Sequence, residues 1–438
     1  MANRTGATVE LGELIDQRPI SPLQILVTTL CAAMLFVDGY DIQVMALAVP
    51  SLAQGWSAPP SSFGLALSAV VIGIVVGSGL IGPLGDRLGR KTMLVSAAIA
   101  IGVATSCTAL ATSPGQFVIW RLLTGLALGA GIPSCAALTS EYAPVAQRSL
   151  VMGLMNIASP IGAFGAGFIA PPVLAAFGWR GAFLIGGAAP LLLAVLVVFL
   201  APESLKFLIA RRPSDPRIAR ILNKIAPEIA PSTVRAPVGR QPSASLFNLL
   251  APMFRARTML LWAMLFLNLF NLYVLISWLP TLLQRSGWSL EQALRGAVLI
   301  QGGGVVGGLL MSRFMDRGAT RAALVAGFCL SAASLALFTV APRGPAWVAL
   351  LLLIGAGVSG SQLSLNALSA AYYPPVIKAT GVSWALVVGS LGSVAAPLAG
   401  AWLIALHLTT ASVLGLLAIP SVLCALGVGL MRREWQAH

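Results

Sequence analysis

The feature that most constrains this chain is a succession of apolar stretches, each roughly 20 residues long and separated from the next by short polar segments. A helix of that length crosses the hydrocarbon core of a bilayer, which is about 30 Å thick. Of the 438 residues, 58% are hydrophobic and 9% are charged, whereas a soluble domain carries about 25% charged residues. The sequence therefore predicts an all-α membrane protein that crosses the bilayer many times.

Twelve such stretches follow one another along the chain. They lie near residues 22–48, 61–82, 92–111, 116–139, 149–171, 180–201, 258–282, 291–312, 320–341, 345–369, 380–404 and 410–431. The predicted organisation is a tail (1–21), a six-helix bundle (22–201), a linker (202–257), a second six-helix bundle (258–431) and a short tail (432–438). The linker is rich in proline and basic residues and contains an amphipathic piece at Pro216–Ile225, which is typical of a surface segment.

The basic residues alternate from loop to loop. Most of the 27 Lys and Arg residues fall in the tails and in every second loop, while the opposite loops hold only Arg180, Arg285, Arg295 and Arg343. By the positive-inside rule, both termini are expected in the cytoplasm, and the protein is expected in the inner membrane. The net charge of +14 is thus a topology signal and does not predict a nucleic-acid partner. The first residues lack the basic start of a signal peptide, so the first stretch is expected to remain as a helix.

Side chains that carry metal or redox chemistry are few and scattered. Five cysteines occur singly in apolar stretches, and the two histidines are His407 and His438. The sequence contains no Cys-x-x-Cys pair, no metal-ligand cluster and no nucleophile–base pair. We expect no cofactor, no metal site and no enzymatic activity.

Two motifs recur at a constant shift. The dipeptide Asp-Arg at 86–87 is repeated at 316–317, which is 230 residues later. The segment EYAPV at 141–145 is echoed by YYPPV at 372–376, which is 231 residues later. Two parallel repeats that are related by an axis along the membrane normal, with a binding site between them near the midplane, are an arrangement found in transporters. The sequence therefore predicts two pseudo-symmetric halves.

Two carboxylates lie inside the first apolar stretch, where a charge costs about 2.5–3.5 kcal/mol or more. Asp38 and Asp41 are three positions apart, which places them on one face of a helix. Arg121 lies at a compatible depth in the fourth stretch, so an ion pair across two neighbouring helices is predicted. The repeat shift carries the two aspartates onto Asn268 and Asn271 in the seventh stretch.

These charges suggest a mechanism. We hypothesise that Asp38 or Asp41 takes up a proton, and that Arg121 alternates between that carboxylate and an anionic substrate in a wet chamber. The alternative is an ion pair with a purely structural role. Because Arg121 is the one basic residue clearly inside the predicted bundle, a monocarboxylate is favoured over a phosphate ester, which calls for several cations.

Further polar residues in the apolar stretches are candidates for contact with the substrate. Besides Arg121 and Asp41, they are Tyr40, Asn268, Asn271, Tyr273, Gln362 and Asn366. Gln362 and Asn366 are four residues apart and so share a helix face. The alternative for each is an ordinary hydrogen bond between helices.

The loop after the second stretch has the sequence GPLGDRLGRKT at 82–92. Its glycines permit a tight turn, and its carboxylate can cap a helix or pair with an arginine in only one conformation of the protein. The alternative is a basic loop that only fixes topology. The candidate gating residues are Gly82, Asp86, Arg87, Arg90, Glu141, Arg148, Asp316 and Arg317.

This loop resembles the signature of the major facilitator superfamily. Other motifs resemble the aromatic acid:proton symporter family within it, and the resemblance extends over essentially the whole chain. They are DGYD at 38–41, RLLTGLALG at 121–129, EYAP at 141–144, PESLKFL at 202–208, WLP at 278–280 and YPPVIKATG at 373–381. Two positions depart from the family pattern, because Lys378 and Ser390 stand where the family commonly has arginine.

The resemblance implies twelve helices in two bundles, known as the major facilitator fold, and uptake of aromatic or related carboxylates together with protons. It assigns the functional charges to Asp38, Asp41 and Arg121. We therefore predict a monomeric, proton-coupled symporter that imports a small organic anion, expected to be an aromatic acid, through the lipid bilayer. The alternatives are a proton-coupled efflux antiporter for an amphipathic compound and a non-transporting membrane sensor built on the same fold.

Overall fold

The computed structural model describes residues 9–10, 15–16, 20–225, 234–235, 249–340 and 345–431. Eleven helical stretches in this part of the chain are long and apolar enough to cross a membrane. We number the spanning helices α1 (Pro22–Gly55), α2 (Gly64–Leu80), α3 (Arg90–Thr108), α4 (Pro114–Tyr142), α5 and α6 (158–177 and 179–200, within the continuous stretch Ala158–Leu200), α7 (Pro252–Arg285), α8 (Leu290–Asp316), α9 (Thr320–Phe338), α10 (Pro345–Tyr372), α11 (Pro375–Ala405) and α12 (Thr410–Leu430).

The stretch Ala158–Leu200 is two helices, because the chain reverses at Gly178. This residue has φ 65° and ψ −173°, a conformation that glycine adopts without a steric penalty. A continuous helix would separate residues 159 and 182 by about 35 Å. Both instead touch neighbouring residues of α1, since Gly39 packs on Ser159 and the Tyr40 hydroxyl donates to the Ala182 carbonyl. The predicted twelve spanning helices are confirmed.

Side-chain caps fix where several helices begin. Ser21 and Ser289 each form a capping box with the glutamine three residues later, at the starts of α1 and α8. Ser113 and Thr409 cap α4 and α12 with their hydroxyls. Some spanning helices are longer than the apolar stretches predict, and α1 continues past residue 48 to Gly55.

The internal repeat is visible in the way the helices cross. A Cβ atom on Gly125 of α4 would collide with the carbonyl oxygen of Val70 in α2. A Cβ atom on Gly355 of α10, 230 residues later, would collide with the carbonyl of Ile300 in α8. The same shift therefore relates a close backbone contact in one helix pair to a close backbone contact in the other.

A second pair of crossings obeys the same relation. Gly162 of α5 packs directly on the Phe36 carbonyl of α1, and Gly392 of α11 packs on the Phe266 carbonyl of α7. Both residues of the second contact lie 230 positions after those of the first. The chain is thus built from two structurally equivalent halves, and the repeat predicted from the loop motifs is confirmed in three dimensions.

Short elements complete the described structure. They are the 3₁₀ turns Pro60–Phe63 and Gly82–Leu84, the helices Gly85–Leu88, Val145–Asn156, Leu205–Arg211 and Pro216–Ile225, and a parallel two-residue bridge of Val9–Glu10 with Val234–Arg235. The amphipathic helix predicted at Pro216–Ile225 is present, and its apolar side is buried. Hydrogen bonds from Arg217 hold the pKa of Asp215, just before this helix, at about 2. Residues 226–233 and 236–248 of the linker lie outside the described residues, and the domain boundaries stay a prediction.

Among the described residues, the hydrophobic core joins the two halves at one end. The cluster around the end of α1 draws residues from both halves, among them Leu47, Leu52, Trp278 and Leu282. The two clusters at the opposite end stay within one half each. We call these the closed end and the divided end. At the closed end, a hydrogen bond from Ser68 to the Val394 carbonyl (2.9 Å) also joins the halves. In this structure the two halves are therefore in contact at the closed end.

Candidate functional site

Four consecutive residues of α1, Asp38 to Asp41, point to four different surroundings. Gly39 lies against the Ser159 carbonyl of α5, where a Cβ atom would collide. The Tyr40 hydroxyl donates to the Ala182 carbonyl of α6 (3.4 Å). This close approach of α1 to α5 explains why glycine is needed between the two aspartates. It also places Tyr40, a predicted substrate contact, inside the first half.

Asp41 pairs with Arg121. The Arg121 Nη1 lies 3.0 Å from Oδ1 and 3.1 Å from Oδ2 of Asp41. The side chains are 1% and 0% exposed, so the pair is sealed from solvent in this conformation. Thr105 of α3 donates a further hydrogen bond to Asp41 Oδ1 (3.2 Å). The ion pair predicted across two helices is thus present, and Asp41 is its carboxylate.

Arg121 is also held by hydroxyl groups and an aromatic ring. Its Nε and Nη2 donate to Thr108 Oγ1 at 3.2 and 2.8 Å, and Nη2 donates to Thr124 Oγ1 at 3.1 Å. The guanidinium carbon lies 4.8 Å from the centre of the Phe183 ring. Sequence reasoning missed these residues, although Thr124 follows Arg121 by three positions and so shares its helix face.

Asp38 lies in a different environment. Ser159 of α5 donates to its Oδ2 at 3.4 Å, and its Oδ1 has no hydrogen-bond partner among the described residues. The side chain is 6% exposed and lies close enough to Tyr273, in α7 of the other half, for the two to interact electrostatically. Asp38 therefore faces the boundary between the halves.

In this conformation Asp41 and Asp38 have different hydrogen-bond partners, and the expectation that both share one chamber with Arg121 stays a prediction. Residues three apart on a helix differ in direction by about 60°. That angle is enough to turn Asp41 into the first half while Asp38 meets α5 and α7. All the hydrogen-bond partners of Arg121 given above lie in the first half, so contact with a substrate would require the ion pair to open.

In the second half, three predicted side chains form a chain of hydrogen bonds between α7 and α10. Asn268 Nδ2 donates to the Val358 carbonyl (3.1 Å) and to Gln362 Oε1 (2.9 Å). Gln362 Nε2 then donates to Asn366 Oδ1 (3.0 Å). We call Asn268, Gln362 and Asn366 the amide ladder. The structure brings these three candidates together.

Asn271 belongs to a separate network inside the second half. Its Nδ2 donates to the Leu417 carbonyl (3.0 Å) and to Ser421 Oγ (2.9 Å), and Ser421 bonds Ser331 (2.9 Å). Asn268 and Asn271 thus bond to different helices of the second half, Asn268 to α10 and Asn271 to α12. Ser390, on α11, donates to the Leu386 carbonyl of its own helix at 2.8 Å.

The predicted gating residues of the first half gather at the divided end. Arg90 forms an ion pair with Asp86, and its Nε lies 3.7 Å from Glu141 Oε1. Glu141 in turn accepts a hydrogen bond from Ser204. A cavity of about 230 Å³ opens beside this group and is also lined by Lys206. The three charged residues therefore form one network within the first half.

The other gating candidates are less closely connected. Arg148 Nη2 donates to the Ala143 carbonyl (3.3 Å), Gly82 packs near Pro133, and Arg87 is exposed. In the second half Arg317 is exposed, and the side chain of Asp316 lies outside the described residues. The predicted second-half counterpart of the gate therefore rests on sequence alone.

Glu203 is a further residue of this end. Its carboxylate accepts from the backbone N–H of Lys91 (2.9 Å) and of Ser204 (3.0 Å), and its carbonyl accepts from the Tyr142 hydroxyl (2.8 Å). The first of these bonds places a negative charge at the start of α3, where the helix dipole favours it. Across the described part of the chain, no group of three metal-ligating side chains occurs.

The fold and motifs agree with a known family. The family model described as Major Facilitator Superfamily matches residues 31–342. The chain belongs to the major facilitator superfamily. Its membership assigns the chain a transport role and not an enzymatic one, as the sequence predicted.

Relatives of this facilitator confirm the narrower resemblance. It is 36% identical to the 4-hydroxybenzoate transporter PcaK of Pseudomonas putida, over 97% of this chain and 96% of that protein. It is 34% identical to the gallate transporter of Pseudomonas putida, over 96% and 95%. The benzoate transport protein of Acinetobacter baylyi is 28% identical, over 98% and 94%.

Solved structures of other facilitators share the fold. The xylose transporter XylE from E. coli, in an inward open conformation, superposes with a TM-score of 0.71 at 18% identity, covering 92% of this chain and 95% of XylE. A bacterial homologue of the human lysosomal transporter Spinster, in an inward-facing conformation, gives 0.70 at 16% identity, covering 93% and 97%. The two-bundle facilitator fold is therefore confirmed.

Proposed function

We propose that this facilitator is a symporter that imports an aromatic carboxylate together with one proton across the inner membrane. The substrate class is supported by the relatives named for 4-hydroxybenzoate and gallate, which align over nearly the whole chain. The observation that carries proton coupling is Asp38, a buried carboxylate at the boundary between the halves with one oxygen that has no partner in the described structure.

Asp38 is the proposed carrier of the proton in this conformation. An ionised carboxylate buried without a cation or a full set of hydrogen bonds is strongly unfavourable. Ser159 supplies a single long hydrogen bond of 3.4 Å, so Asp38 is neutral here and holds one proton. Arg121, at 3.0 Å, is the counter-ion of Asp41.

The positions of the two aspartates along α1 give a route for the proton. The helix runs from the divided end at Pro22 to the closed end at Gly55, so Asp41 lies about 4.5 Å nearer the closed end than Asp38. A proton that enters when the closed end opens reaches Asp41 first. It neutralises that carboxylate, releases Arg121 and then passes to Asp38. One proton is therefore shared between two carboxylates.

The amide ladder is the proposed substrate contact of the second half. An amide nitrogen has two hydrogens to donate. Gln362 donates one of these hydrogens to Asn366. Asn366 is half-buried and is the last residue of the ladder, and its amide nitrogen also carries two hydrogens. These groups can donate to a carboxylate or a ring hydroxyl. Because Ser390 on α11 supplies no charge, neutral donors are the means by which this half binds an anion.

The basic residues orient the protein in the membrane. Loops at the divided end carry most of the Lys and Arg residues, so we assign that end to the cytoplasm and the closed end to the exterior. The structure then corresponds to an inward-facing state. Rocking of one half against the other exposes the site to each side in turn. The Asp86–Arg90–Glu141 network at the cytoplasmic end is the proposed gate.

The direction of coupled flux tests this proposal. Purified protein in liposomes is given labelled 4-hydroxybenzoate outside and a pH gradient that is acidic outside. We expect accumulation inside that disappears when a protonophore collapses the gradient. Export driven by the opposite gradient would favour the antiporter, and the absence of any flux of benzoate-type acids would overturn the substrate class.

A further inference from the structure

We infer that Thr108 and Thr124 are positioning residues that keep Arg121 in place while Asp41 is protonated. This inference rests on the proposed function, because it concerns the moment when the Asp41–Arg121 pair opens. We call the two hydroxyl groups the threonine cradle. Among the hydrogen bonds described above, none joins Thr108 or Thr124 to Asp38.

The cradle accepts most of the hydrogen bonds of the arginine. A guanidinium has five N–H donors. Nη1 of Arg121 directs one hydrogen between the two oxygens of Asp41, while Nε and both hydrogens of Nη2 go to the cradle, at 3.2 and 2.8 Å to Thr108 and 3.1 Å to Thr124. The larger share of the bonds therefore does not depend on the carboxylate.

The cradle hydroxyls are fixed as acceptors. Thr108 donates its own hydrogen to the Ala104 carbonyl (2.9 Å), and Thr124 donates to the Trp120 carbonyl (2.9 Å). Each bond runs four residues back along the helix, a common arrangement for threonine in a helix. Only the oxygen lone pairs are left to face Arg121, so the hydroxyls cannot turn away without losing a bond.

The internal repeat supplies an independent observation. The second-half residues 230 positions after Arg121, Thr108 and Thr124 are Leu351, Phe338 and Ile354. All three are buried and apolar. Where the repeat lacks the arginine, it also lacks both hydroxyls. The threonines therefore accompany the charge and are not a requirement of this packing position in the fold.

The consequence concerns the free energy of the open pair. When a proton from water bonds to an Asp41 oxygen, the ion pair with Arg121 is lost and the guanidinium keeps its charge. With the cradle it retains three hydrogen bonds and the face of Phe183. These bonds exist in both states of Asp41, so they favour protonation to the extent that they strengthen once the guanidinium has no counter-ion. The cradle thus stabilises the unpaired guanidinium and makes protonation of Asp41 easier.

Isosteric substitutions test this role. Thr108→Val keeps the shape of the side chain and removes the hydroxyl, whereas Thr108→Ser keeps the hydroxyl. Thr139→Val is the matched control, since Thr139 is a buried threonine of α4 whose hydroxyl contacts the Met155 sulfur. Uptake driven by a pH gradient and exchange of labelled for unlabelled substrate are measured between external pH 5 and 8.

We expect Thr108→Val to need about tenfold more protons for half-maximal uptake, an acid shift of about one pH unit, because the loss of two hydrogen bonds costs more when the guanidinium has no counter-ion. Thr124→Val removes one hydrogen bond and should shift the pH profile by a smaller amount. If Thr108→Val does not fold, the Thr124→Val profile is used for the test. Thr108→Ser should restore the wild-type profile. The Michaelis constant in exchange should change little.

A pH profile that is unchanged in both valine variants, or shifted equally in Thr139→Val, would overturn the cradle. That outcome is distinct from failure of the proposed function, which would show as the absence of proton-driven uptake in the wild-type protein. A loss of thermal stability with an unchanged pH profile would show that the two threonines serve packing and do not position Arg121 for transport.

Discussion

Arg121 Nη1 lies 3.0 Å from Asp41 Oδ1, in a pocket of the first half where neither side chain reaches solvent. Removing one member of such a pair leaves the other charged and buried, which costs about 3–5 kcal/mol, whereas removing both charges together costs far less. The pair therefore contributes to stability as well as to transport, and the two contributions can be separated.

Asp41→Asn should lower the thermal stability of the purified protein sharply, because it leaves Arg121 without its counter-ion. Adding Arg121→Gln should restore most of the lost stability without restoring proton-driven uptake. A thermal melt of the two single variants and the double variant measures the coupling. Additive losses of stability would contradict the pairing.

The contact of Gly39 with Ser159 predicts an effect on assembly. Gly39→Ala should reduce the folded yield, because the added methyl group collides with the backbone of α5 and overpacking of this kind costs about 1–3 kcal/mol or more. Gly79→Ala is the matched control, since nothing lies within 4 Å of a Cβ atom at that position. The folded yields of the two variants are compared by fluorescence-detected size-exclusion chromatography. Equal yields would mean that α1 and α5 are not in close contact.

The two asparagines of α7 should differ in effect. Gln362→Ala and Asn268→Ala interrupt the amide ladder and should raise the Michaelis constant for uptake several-fold, with little change in abundance. Asn271→Ala should instead lower stability by about 1–3 kcal/mol, because it removes the bonds to Leu417 and Ser421 that join α7 to α12. Initial rates and thermal melts on the same preparations separate the two effects. A reversed pattern would move the substrate contact to Asn271.

One proton shared by two carboxylates predicts electroneutral transport of a monoanion. A potassium diffusion potential set with valinomycin should therefore leave uptake unchanged at fixed pH. A second proton would add about 2.3 kcal/mol of driving force per 100 mV. Clear stimulation by a potential that is negative inside would show that Asp38 and Asp41 each carry a proton.

Sequence reasoning reached the fold because apolar length, the alternation of basic loops and two repeated motifs are each local properties of the chain. It also found Asp38, Asp41 and Arg121, since charges in apolar stretches stand out. It could not tell which aspartate pairs with the arginine. Helix spacing restricts their directions to within about 60°, but the neighbours at each direction depend on how α1 packs against α3, α4 and α5.

The threonine cradle was missed for a related reason. Buried hydroxyls in membrane helices usually bond to their own backbone, so Thr108 and Thr124 carry no signal when each is considered alone. The signal lies in comparison of the halves, where Phe338 and Ile354 occupy the equivalent positions. The direction in which Tyr40 points was hidden in the same way, because its partner on α6 is 142 residues away in the chain.

Asp38 is the group proposed to couple the proton to the substrate, and Asp38→Asn tests this role directly. The variant keeps the size of the side chain and removes its titration, and Asp215→Asn, in the linker, serves as the control. We predict that Asp38→Asn abolishes accumulation of labelled 4-hydroxybenzoate under a pH gradient while it still exchanges labelled for unlabelled substrate. Accumulation at the level of the wild-type and control proteins would contradict the proposed mechanism.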